Sequence, residues 1–397
     1  MPWCWSRPSA VVLAISLITA PASASVHLRS TALRHSHIVA SAASAASTAA
    51  EVQDDATTAD SVALEPANVK LNFAEAGARV TTALPPVVIL HGLFGAGGNF
   101  ATWAARLNED CEKAGKPRRI ILVDLRNHGD SSHSSSMAFE DMSADVARLL
   151  EEQGIERAVL CGHSIGGKVA MVRKRAALRH SELRTHTHKE QTRDIKSTSP
   201  IASVQTALTA RIMPARCSMQ ATALLHPERV ERLMVLDMAP VAYAPKEPQW
   251  EGIIQVVSAM RTVKLDVISS KRDADAMLAR TISDPSIRAF VLTNLVRTRT
   301  GSFKWRVNLD AIEAWLPRLA DWDVEASKGS YGGNTLFVGG GKSRFLRSSH
   351  LPAISEQFTR FSLSTIRTAD HWVHADEPEA LLIIMESFLA AKAAPSS

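Results

Sequence analysis

Gly162-His163-Ser164-Ile165-Gly166 has the G-x-S-x-G spacing of a nucleophile elbow, in which a serine is carried on a sharp turn between a strand and a helix. The glycines are needed because a side chain at either position would crowd the turn that exposes the hydroxyl. The flanks have the required order. Arg157-Ala-Val-Leu-Cys161 is a short apolar run that reads as a buried strand, and Gly167–Met171 can start a helix. A serine so displayed can attack an acyl carbon if it has a base, an acid to orient that base, and donors for the oxyanion.

For the base, the order serine, acid, histidine points towards the C-terminus, where Asp370-His371-Trp372-Val373-His374 follows the last expected strand. His371 comes first on that loop and is preferred; His374 is read as packing at the start of the helix that follows. Two aspartates compete for the acid. Asp237 ends the strand Val230–Asp237, whereas Asp310 could be a helix N-cap. Asp237 is favoured because a carboxylate at that strand end can reach an imidazole, and geometry matters more than sequence position. The turn His91-Gly92-Leu93-Phe94-Gly95 follows an early strand, so the main-chain N–H groups of Leu93 and Ile165 are the expected oxyanion donors.

The elements that must position these residues alternate. Strands are expected at Val69–Glu75, Pro85–Leu90, Arg119–Asp124, Arg157–Cys161, Val230–Asp237, Thr335–Gly339 and Phe361–Ile366. Helices are expected at Asn99–Asn108, Ser143–Gln153, after the elbow, and from Pro378 to Ala391. This alternation implies an α/β fold with a mostly parallel central sheet and helices on both faces, its chemistry gathered at the carboxyl ends of the strands. Residues 241–322 interrupt the pattern and read as an inserted helical cap. Trp250, Trp305, Trp315 and Trp322 are concentrated there, either lining an apolar acyl pocket or forming the cap's own core. Asp124–Asp130 reads as a buttressing turn, and His180, His186 and His188 as a histidine-bearing polar tract; neither is read as a metal site.

The 397 residues, 46% hydrophobic, suffice for a large core. The formal charge of +5 is unevenly spread: residues 1–50 carry +3 and residues 172–220 carry +7, which leaves −5 on the remainder. A mildly acidic body argues against a nucleic-acid face. The cysteines Cys4, Cys111, Cys161 and Cys217 show neither zinc-like spacing nor a paired framework, so free thiols are expected, with Cys161 a small buried apolar residue. No dinucleotide or phosphate-loop motif is present to support a nucleotide.

Residues 1–50 read as a targeting leader and 51–66 as a polar linker. The apolar run Val11–Ala20 is too short to span a bilayer, and the Ser/Ala-rich, acid-free stretch behind it has transit-peptide composition. A mitochondrial address is preferred, with a secretory or plastid route as the alternative. Residues 172–220 form a basic, weakly periodic block that is expected to be disordered. Joining Met171 to Ala221 restores an unbroken helix stopped by Pro227, and the codons of Val172 and Gln220 can supply intron-boundary letters. The block is read as a retained intron or gene-model error, the other reading being a genuine exposed loop.

In combination, HGLFG, Arg126–Ser131, GHSIGGK, Leu236–Pro240, Leu292–Leu295, Trp305–Asp310 and His371–Asp376 resemble the alpha/beta hydrolase domain-containing protein 11 family and related bacterial short-chain carboxylesterases. The likeness covers about residues 69–392 apart from the basic block. It implies an α/β-hydrolase fold with a cap, no cofactor, a small-molecule ester or thioester substrate, and Ser164 and His371 as nucleophile and base. Family assignments of the acid differ between the positions of Asp237 and Asp310. Asp370 stands where relatives usually have glycine, and an acid there could raise the base's pKa or strain the turn. Two other functions stay open: a cofactor-free haloperoxidase or carbon–carbon bond hydrolase using the same triad, and a catalytically silent scaffold, since the block splits the nucleophile helix.

Overall fold

The computed structural model describes residues 69–77, 82–171, 227–322 and 330–391. The leader, the linker, the basic block and the His180, His186 and His188 tract lie outside the described residues, as do Cys4 and Cys217.

Among the described residues seven strands form one sheet: β1 (Phe73–Ala76), β2 (Val87–Leu90), β3 (Ile120–Val123), β4 (Ala158–His163), β5 (Val230–Leu236), β8 (Asn334–Gly340) and β9 (Phe361–Ile366). Their spatial order is β1-β3-β2-β4-β5-β8-β9, parallel throughout except that β1 runs antiparallel to β3. The apolar runs are explained by burial on both faces. Val88, Leu90, Ile121, Leu160, Leu233 and Val235 belong to one core, while Val87, Ile89, Ile120, Val159, Met234 and Leu236 belong to another. The first core is shared with α2 (Phe139–Glu152) and α3 (Ile165–Met171), the second with α1 (Ala101–Lys113) and α10 (Pro378–Ala390). Cys161 is fully buried, and burial pushes its thiol up to about 12.

Between β5 and β8 lie α4 (Pro248–Thr262), α5 (Lys271–Leu278), α6 (Pro285–Leu292) and α7 (Leu309–Ala320). The all-helical expectation for this stretch needs one correction: β6 (Leu295–Arg297) and β7 (Phe303–Trp305) pair as an antiparallel hairpin. Three-residue strands are too short for their periodicity to register in the sequence. The early strand also begins later than expected, at Phe73, and α3 starts directly after Ser164 rather than at Gly167. The short helices α8 (Leu351–Gln357) and α9 (Val373–Asp376) flank β9.

The parallel direction brings the ends of β2, β4, β5 and β9 to one edge of the sheet. Leu90, His163, Leu236 and Ile366 are their last residues, so the 91–95 turn, Ser164, Asp237 and the loop bearing His371 all emerge there.

Candidate active site

The elbow is built by close packing of main chain. Ser164 has φ 54°, in the left-handed region that side chains seldom adopt, and its N–H donates to Leu236 O at 3.0 Å. A Cβ on Gly162 would lie 2.3 Å from Gly166 O, and one on Gly166 would lie 2.5 Å from both Leu90 O and His91 O. The two glycines are therefore required by approach distance, which fits strain held in place by its surroundings.

Ser164, His371 and Asp237 meet. His371 Nε2 is 3.1 Å from Ser164 Oγ, and His371 Nδ1 is 2.7 Å from Asp237 Oδ2. Asp237 is fully buried and itself has φ 48°. Gly340 N–H donates to its Oδ1 at 3.0 Å, and Ser343 Oγ donates to Oδ2. Asp310 is elsewhere: its side chain is 86% exposed on α7 and pairs with Arg261 at 2.6 Å. Nor does it cap that helix; Asn308 does, accepting from Ala311 N–H at 3.2 Å.

Two residues that drew no separate attention in the sequence hold the imidazole. His163 Nε2 donates to His371 O at 2.8 Å, and the Phe345 ring lies 4.2 Å from that of His371. Burial and the neighbouring imidazoles of His371 and His374 hold His163 well below the usual histidine range, so it is a neutral donor. His374 is buried and stacked on Phe100 at 3.9 Å, and burial pushes it down to about 3. The Asp370 carboxylate accepts from the main-chain N–H of His371 at 2.8 Å, and Asp370 N–H donates to Asp376.

The turn at residues 91–95 is fixed by its histidine. His91 Nδ1 donates to Gly92 O at 2.7 Å and Nε2 accepts from Leu125 N–H at 2.9 Å, which sets a neutral tautomer. Leu93 lines the cavity beside Ser164, and Ile165 opens α3, where a helix leaves its first N–H groups unpaired. Asp124 accepts from Gly97 N–H, Asn72 Nδ2 and Asp130 N–H, so the 124–130 turn braces the site's floor. Among the described residues no cluster of three or more His, Cys, Asp or Glu could hold a metal ion.

A cavity of 420 Å³ opens onto Ser164 and His371. Ile253 and Val256 of α4, Ile287 and Phe290 of α6, and Phe345 and Trp372 form apolar walls. Of the two readings of the clustered tryptophans, packing in a core is the one observed, since Trp250, Trp305, Trp315 and Trp322 are all absent from the cavity lining. Trp250 and Trp322 are core residues, and the indole N–H groups of Trp315 and Trp322 donate to Ser135 O and Gln357. The tryptophan at the cavity is Trp372, next to His371.

The sheet order, the elbow and the converging strand ends define an α/β-hydrolase. The family model for the alpha/beta hydrolase fold matches residues 85–173. A marine microorganism esterase superposes with a TM-score of 0.61 at 25% identity, covering 81% of this chain and 99% of its own. The sn-1-specific diacylglycerol lipase ABHD11 of Mus musculus is 33% identical over 77% of this chain and 81% of the relative. Its Xenopus laevis counterpart is 35% identical over 77% and 80%. Esterase YbfF of Escherichia coli K12 is 25% identical over 81% and 99%. The chain belongs to the ABHD11 family of α/β-hydrolase-fold enzymes, within the esterase and lipase class. Among the described residues no helix is long and apolar enough to cross a membrane.

Proposed function

We propose that this enzyme cleaves carboxylic esters or thioesters through a covalent acyl-serine intermediate. The observation that carries the reading is the continuous contact from Ser164 Oγ through the two ring nitrogens of His371 to a buried carboxylate. Ser164 attacks the carbonyl carbon while His371 Nε2 takes its proton. Asp237 keeps Nδ1 protonated and balances the imidazolium. Leu93 and Ile165 N–H groups receive the oxyanion, an interaction typically worth about 100- to 1000-fold in rate per donor. His371 then protonates the leaving alcohol or thiol, and water, activated by the same imidazole, releases the acid.

The cavity walls suit an aliphatic acyl chain, and the vertebrate relatives bear the name of diacylglycerol lipases, which makes acylglycerol esters the first substrates to try. A mitochondrial address is part of the proposal and rests on the composition of residues 1–50.

The test is labelling by a fluorophosphonate together with hydrolysis of p-nitrophenyl esters, in the chain and in Ser164→Ala. Loss of both in the variant supports the reading. Labelling or turnover that persists without Ser164 overturns it.

A further inference from the structure

Lys168 lies one helical turn beyond Ser164 on α3, and its side chain is fully buried. An isolated buried ammonium is costly, and among the described residues no carboxylate lies within ion-pair distance of this one. Its Nζ donates instead to three successive carbonyls, Leu319 O at 3.3 Å, Ala320 O at 3.1 Å and Asp321 O at 2.8 Å. These end α7, where a helix leaves its carbonyls unpaired and its dipole negative. The rings of Tyr243, Phe139 and Trp322 surround it at 5.0, 5.6 and 6.0 Å. The titratable groups facing it are Tyr243, whose hydroxyl donates to Phe345 O, and Asp321, whose carboxylate accepts from Trp322 N–H.

What Lys168 grips is linked to the cavity. Arg261 of α4 pairs with Asp310 and Glu313 of α7, and α4 carries Ile253 and Val256 into the wall above Ser164. The outer ion pairs are solvent-exposed and so contribute little. The desolvated contact at the far end of α7 is the firmer one.

We propose that Lys168 is a positioning residue, seating the end of α7 on the nucleophile helix and so holding the α4 wall of the acyl cavity at its working distance from Ser164. Its kinetic consequence rests on the serine-hydrolase reading; its structural consequence does not. Burial pushes the amine down from 10.5 to about 7, and the three carbonyl contacts, one for each N–H of an ammonium, oppose that shift.

The test compares the chain with Lys168→Met, which keeps an unbranched stem and removes the donors. KM for an octanoyl ester is expected to rise at least about tenfold, with a smaller change for an acetyl ester too short to reach the wall. Lys168→Gln, which retains two N–H donors, should recover part of the loss. Equal KM changes for both esters, or none, overturn the proposal. If Lys168→Met does not fold, hydrogen exchange on Lys168→Gln against the unaltered chain decides. Loss of protection in the last turn of α7 should exceed that in α10 by at least about threefold. Equal change in the two helices overturns the proposal. Exchange measured in Ser164→Ala gives the same answer whether or not the serine is the nucleophile, so the two failures are distinguishable.

Discussion

Ser343 and His371 share one oxygen: the hydroxyl of the first and Nδ1 of the second both meet Oδ2 of Asp237. Gly340 N–H occupies the other carboxylate oxygen at 3.0 Å. The turn after β8 has no acid of its own and instead supplies the donors that orient an acid from the neighbouring strand. Asp237→Asn, which leaves the imidazole in the wrong tautomer, is expected to lower kcat by about 10⁴-fold. Ser343→Ala should lower it by about 3- to 10-fold, the scale of one lost hydrogen bond, with KM little changed. Asp310→Asn, on the exposed face of α7, should leave ester turnover as it was. Steady-state kinetics on a p-nitrophenyl ester measures all three, and reversed effects at the two aspartates would reassign the acid.

His163 ties the loop that carries His371 to the strand that leads into Ser164, across 208 positions of sequence. Removing that bond frees His371 O and loosens the imidazole without touching the serine. His163→Ala is expected to lower kcat by about tenfold, since small misplacements of a base are costly. His163→Gln, with an N–H donor of similar reach, should restore most of it. Failure of glutamine to do better than alanine would remove the positioning role.

The cavity wall predicts chain-length selectivity. Val256→Phe adds bulk to the α4 side and should reduce kcat/KM for octanoyl relative to acetyl esters by at least about tenfold, within the discrimination that apolar pockets achieve. The corresponding substitution at core Trp250, to phenylalanine, should alter stability rather than that ratio. The two variants assayed across a series of acyl chains separate wall from core.

Acid should destabilise the fold through its buried imidazoles. His128 and His374 are both pushed down to about 3 by burial, from an ordinary value of 6.5. The unfolded chain therefore binds more protons than the folded one between those limits. Their contribution is present in full above pH 6.5 and is lost as pH falls towards 3. Each contributes a slope of up to about 1.4 kcal/mol per pH unit in that window. Urea unfolding of His374→Gln at several pH values should show a slope shallower by about one histidine.

Gly166→Ala tests the elbow itself. With a Cβ 2.5 Å from two carbonyl oxygens of the β2 end, either the turn or the strand must move. Such overpacking is expected to cost about 1–3 kcal/mol in stability and to abolish fluorophosphonate labelling. Wild-type labelling in this variant would contradict the packing argument.

What the amino-acid sequence determined by itself was whatever depends on neighbours along the chain. The elbow is legible because strand, glycine, serine, glycine and helix are contiguous and each is demanded by the same turn. The sheet is legible because strands buried on both faces are continuous apolar runs. His371 is legible by its place after the last strand. Tertiary structure alone decided everything that depends on distance through space. Asp237 and Asp310 are both aspartates at plausible points of the chain, yet one is buried 2.7 Å from an imidazole and the other faces solvent. Four tryptophans in the inserted stretch were compatible with a pocket or a core, because a large ring buries its area equally well in either, and the wall fell to smaller side chains of α4 and α6. A lysine in a glycine-rich helix start carries no local mark of burial. Only the arrival of α7's last carbonyls, some 150 residues later, determines what its ammonium does.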